Sequence, residues 1–76
     1  MSIKKFVKER NEALLSLNAG QIRETFSKYG VNLPANDKVF WAAMHKARVE
    51  VVSFPEEVKE ASRKWLTDNG FYPGIQ

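Results

Sequence analysis

The chain holds a single histidine, His45, and its neighbours are residue types that can bind or react. Trp41 precedes it by four residues and Arg48 follows by three, so on a helix the three share one side. An indole beside a guanidinium has the make-up of an interaction hot spot, since one offers broad apolar area and the other a planar charged fork. The competing arrangement puts Trp41 under a neighbouring helix and leaves His45 partly buried. Arg48 is then a surface charge with its stem laid over apolar atoms. Catalysis is the weakest reading of this trio. An acid–base histidine needs an orienting partner and a nucleophile or bound water, and no serine, threonine or carboxylate lies within one helical turn of His45.

Other chemistries lack their residues. There is no cysteine, hence no disulfide or thiolate site, and one histidine leaves a zinc site almost wholly to carboxylates. The glycines stand isolated at 20, 30, 70 and 74, whereas a phosphate-binding loop clusters them before a Gly-Lys-Ser/Thr ending. The expectation is a protein that is not an enzyme, with no catalytic residue, no cofactor, no metal and no small-molecule substrate.

Basic residues suggest a second kind of partner. Lys4, Lys5, Lys8 and Arg10 against Glu9 give the first ten residues a charge of +3, which equals the net charge of the chain. Cations at a helix N-terminus oppose the macrodipole, and a local rule broken without gain can mark function. Lys4, Lys5 and Lys8 are therefore the candidates for meeting a nucleic-acid backbone. Interleaved with Glu9 and Glu12, they form a short patch where nucleic-acid binding favours a longer stripe. A helix-turn-helix is disfavoured, because residues 30–36 make too long a turn and the following helix is too apolar to read base edges.

Apolar residues off the helical stripes point to a protein partner or a second copy of the chain. Leu15 shares a side with Lys4 and Lys8 rather than with the buried face. The end of the chain, residues 71–76, is apolar where chain ends are usually polar and frayed. Phe71 and Tyr72 either fold back onto the core or dock elsewhere. The protein-binding candidates are Trp41, His45, Arg48, Leu15 and Tyr72.

The elements that position these residues follow from periodicity. With 76 residues the chain makes one domain, and it must be stabilised by packing alone. The pattern predicts an all-α fold, a compact bundle of four short helices at about 3–17, 19–29, 37–52 and 54–69. Ile3, Phe6, Val7, Ala13, Leu14 and Leu17 form the inner face of the first, with Ser2 as its cap. Ile22, Phe26 and Tyr29 form that of the second, capped by Asn18, with Gln21 completing a capping box. Phe40, Ala43, Met44, Ala47 and Val51 mark the third, capped by Asn36 and apolar enough to be central, with Val39, Trp41, Ala42, Val49 and Val52 off the stripe. Its valine-rich end, 48–53, has strand propensity but no second strand to pair with. Val58, Ala61, Ser62, Trp65 and Leu66 mark the fourth, with Ser53, Pro55 and Glu56 as its start signal. Gly30 and Gly70 should end the second and fourth helices. Glu24 with Lys28, and Glu60 with Lys64, have the spacing of supportive pairs.

No apolar run approaches the ~20 residues of a membrane span, and the start of the chain lacks an apolar signal segment. The expected location is the cytoplasm. Three segments, 8–17, 39–48 and 62–66, together resemble small uncharacterised helical proteins of Gram-positive bacteria and their phages. The resemblance spans most of the chain. It implies a phage or prophage accessory protein and brings no activity, cofactor or catalytic residue with it.

Overall fold

The structure is a computed structural model that describes residues 3–71. Those residues form four α-helices, α1 (Ile3–Ser16), α2 (Ala19–Lys28), α3 (Asp37–Glu50) and α4 (Glu56–Asp68), and no strand. They divide into two compact units, one ending at Pro34 and one beginning at Ala35. Each unit is a helical hairpin, α1 with α2 and α3 with α4. No helix among the described residues is long and apolar enough to cross a membrane.

In the first unit, Ala13, Leu14 and Ile22 are fully buried. Burying a leucine or isoleucine side chain contributes about 1.5–3 kcal/mol. Phe6 of α1 meets α2 edge-on at two rings, Phe26 at 6.1 Å and Tyr29 at 4.9 Å, a geometry that sets each ring's positive edge against a negative face. The Tyr29 hydroxyl is shielded from solvent with no partner at hydrogen-bonding geometry. Burial and then the charge of Glu9 raise its pKa. Lys28 pairs across the hairpin with Glu9 at 3.0 Å, not with Glu24 along its own helix. Ile3 is not part of the inner face, being 77% exposed at the free end of α1.

Both anticipated glycine stops form, by the same bonds. Gly30 has φ +77°; the Val31 amide donates to the Phe26 carbonyl and the Gly30 amide to that of Ser27. Gly70 has φ +84°, with Phe71 donating to Leu66 and Gly70 to Thr67. The turn after α1 is built differently. Leu17 leaves the helix with φ +53° and points outward, so it is not the last residue of the inner face. Ser16 Oγ donates to the Ala13 carbonyl and accepts from the Asn18 amide, a role the capping box would give to the Gln21 side chain. Asn18 Oδ1 then caps α2 at the Gln21 amide.

In the second unit Asn36 Oδ1 caps α3 at the Val39 amide, 3.0 Å. Phe40, Ala42, Met44, His45 and Arg48 are the buried residues of α3, so the buried arc is rotated toward Ala42 and away from Ala43, Ala47 and Val51. The helix stops at Glu50; Val51 is extended, and a turn closes with the Phe54 amide on the Val51 carbonyl. The strand alternative for 48–53 is not realised. Ser53 does not cap α4 either: the cap position is Pro55 with no side-chain bond, and buried Phe54 anchors the entry instead. Along α4, Ala61 is exposed. Arg63 bonds Glu56 at 2.9 Å and Glu60 at 3.4 Å, while Lys64 pairs with Asp68 rather than Glu60. Exposed pairs of this kind add little stability.

These caps predict a contrast. Asn36→Ala should cost about 1 kcal/mol in urea denaturation, while Ser53→Ala should stay within about 0.5 kcal/mol of the parent. Equal losses would mean that Ser53 caps α4 after all.

Candidate functional site

The trio singled out by spacing becomes a partly sealed cluster in the second unit. His45 is 7% exposed and Arg48 is 5% exposed, so neither is a surface contact and Arg48 is not a surface charge. Trp41 is half-buried. Its ring lies 5.0 Å from Phe40, edge-on, and 6.0 Å from His45.

Helix α4 supplies the partners that local sequence did not offer. His45 Nδ1 lies 2.9 Å from Ser62 Oγ, seventeen residues downstream, and Ser62 is fully buried. The imidazole stacks on Trp65, centroids 4.5 Å apart and 18° from parallel. Trp65 in turn stacks on Phe71 at 6.1 Å, and the Lys38 ammonium sits 5.8 Å from the Phe71 centroid. Five rings thus run from Phe40 through Trp41, His45 and Trp65 to Phe71. Spacing does the local work: Trp41 and His45 are one turn apart on α3, as Ser62 and Trp65 nearly are on α4.

The electrostatics follow from this burial. Loss of solvent pushes the His45 imidazole from 6.5 to about 4, and the Arg48 charge adds to the effect. Burial lowers the pKa of Arg48 as well. His45 is therefore neutral at neutral pH and can exchange one hydrogen bond with the Ser62 hydroxyl.

A serine 2.9 Å from an imidazole is also the pairing that nucleophilic hydrolases use. In the closed hairpin no substrate can reach Ser62 Oγ, because the residue is 0% exposed. An imidazole held near pKa 4 is also a weak base at neutral pH. The arrangement joins helices rather than presenting a nucleophile.

The remaining sequence candidates lie elsewhere. Leu15 is 46% exposed on α1, and Lys4, Lys5 and Lys8 are exposed on the same helix. Tyr72 and Ser2 fall outside the described residues. Two surface depressions on the first unit include none of the candidates: one is lined by Glu24, Thr25, Ser27 and Lys28, the other mainly by Arg23, Val31 and Leu33. Among the described residues no three acidic or histidine side chains gather as a metal would require.

Two residues escaped the sequence reading. Periodicity puts Ser62 on the inner face of its helix and names no partner for it, although a lone hydroxyl in an apolar stripe needs one. Periodicity puts Leu17 on the inner face of α1, and nothing in its residue type marks a left-handed turn.

Ser62→Ala removes the hydroxyl and leaves a buried ring nitrogen unpaired, which should cost about 1–3 kcal/mol by urea denaturation. A loss under about 0.5 kcal/mol would show that the ring is held by stacking alone. No protein-family model matches the chain, and neither a curated protein nor a solved structure aligns with it significantly.

Proposed function

We propose that the protein is a small non-enzymatic interaction module that docks through apolar residues at the turn between α1 and α2. The observation that carries this reading is Leu17. It adopts φ +53°, a backbone state that costs a non-glycine residue roughly 1 kcal/mol, and it is 44% exposed. Glycine or asparagine would suit that position better. A leucine held there, two residues from exposed Leu15, gives up stability to display apolar surface, and strained residues gather at functional sites. The resemblance of residues 8–17, 39–48 and 62–66 to small helical proteins of Gram-positive bacteria and their phages supports a phage or prophage accessory role in the cytoplasm.

The test separates folding from docking. Leu17→Gly should raise stability by up to about 1 kcal/mol while weakening capture of a partner from host lysate, and Leu15→Asp should weaken capture without a large stability change. Light scattering after size exclusion distinguishes a second copy from a different partner. A strict monomer that captures nothing, or capture indifferent to both changes, contradicts the proposal.

A second reading, nucleic-acid binding, is favoured by the exposure of Lys4, Lys5 and Lys8 at the start of α1, whose first turn has no acidic residue. It predicts gel retardation of DNA or RNA that weakens with salt and is lost when the three lysines become glutamate. Absence of retardation at low salt removes it.

A further inference from the structure

His45 is the chain's one histidine, and the docking surface above makes no use of it. It lies at the seam of α3 and α4, with Trp41 and Arg48 from its own helix and Ser62 and Trp65 from the other. Among the described residues the charged group acting on it is Arg48, a cation. Helix α4 meets it with a hydroxyl and an indole, neither of which carries charge. The basic residues of α4 beside them face their own carboxylates, Arg63 with Glu56 and Glu60, Lys64 with Asp68.

A second proton on the ring meets this surrounding unfavourably. The hydrogen bond itself survives, because a hydroxyl oxygen can accept from an imidazolium N–H. What the ring loses is the hydration a cation needs, and it gains a like charge next to it. Opening the hairpin relieves both.

We infer that His45 is an acid-operated latch of the α3–α4 hairpin: protonation of its ring releases α4 from α3, while the α1–α2 hairpin stays folded.

Its pH window follows from linkage. The folded state holds the histidine below its unfolded value, so the stability it contributes is complete above about 6.5 and is lost as pH falls toward about 4. Between those limits the ratio of open to closed hairpin rises by at most about tenfold per pH unit and about 80-fold in all, with a ceiling of about 300-fold well below pH 4. The perturbed carboxylates, Glu9 and Glu56, are held below their ordinary 4.5 by Lys28 and Arg63 and so titrate beneath most of this window.

Amide hydrogen exchange of the full chain from pH 7 to 4.5, corrected for the intrinsic pH dependence of exchange, tests the latch. Protection of amides in α3 and α4 should fall about 40-fold between pH 6.5 and 4.5, while α1 and α2 change little. His45→Asn keeps a polar atom facing Ser62 but cannot take up the proton, so its α3–α4 protection should be flat over the same range. Protection that does not change with pH, that falls equally in both hairpins, or that falls as much in His45→Asn overturns the inference. Should that variant not fold, the comparison of the two hairpins in the unmodified chain decides alone.

Discussion

One neutral imidazole, taken out of water and held between a hydroxyl and an indole, joins the two helices of the second unit. Its free energy comes from several sources that depend on one another. Stacking on Trp65 at 4.5 Å requires the ring orientation that the Ser62 bond fixes. The Ser62 hydroxyl can bond the ring in either charge state, but burial lowers the pKa and keeps the ring uncharged. Removing any one of the three leaves the others mis-set, as expected of a buried polar contact in a low-dielectric surrounding. The ring row from Phe40 to Phe71 extends the same seam to the end of α4, where the glycine stop at Gly70 turns Phe71 back over Trp65.

The first unit is held differently, by apolar burial around Leu14 and Ile22 and by the edge-on contacts of Phe6. Its polar contact between helices, Glu9 with Lys28, is exposed and screened. The two hairpins therefore answer to different variables. Acid acts on the second through one buried group, and the first has no histidine. The strained Leu17 belongs to the first, so stability lost to display and stability tied to pH sit in separate parts of the chain.

Much of the fold is legible in the sequence because it depends on short-range chemistry. Asn18, Asn36, Gly30 and Gly70 punctuate the helices where their types say they should, and helix ends are local events. Where expectation and structure differ, a competing contact is present. The Ser53 cap and the Glu24–Lys28 pair are local options set aside where a tertiary contact wins, as Phe54 anchors one helix start and Glu9 takes Lys28 from another helix, whereas the Glu60–Lys64 pair gives way to other local pairs, Lys64 with Asp68 and Glu60 with Arg63. The site was half legible. Spacing groups Trp41, His45 and Arg48 and leaves a surface or a packed arrangement open, but only folding brings Ser62 and Trp65 to the imidazole and buries His45 and Arg48. The available signal is the single serine in the apolar stripe of α4, since His45 lies off the stripe that periodicity marks on α3.

The central claim is that His45 is buried and neutral in the folded chain. Nitrogen and carbon NMR shifts of its imidazole, followed from pH 7.5 to 3.5 under conditions where α3 and α4 remain largely closed, test it directly. The account predicts a neutral ring through pH 5.5 and a titration midpoint displaced well below the ordinary value, toward about 4. A midpoint near the ordinary value of about 6.5, with the helices intact, would contradict it.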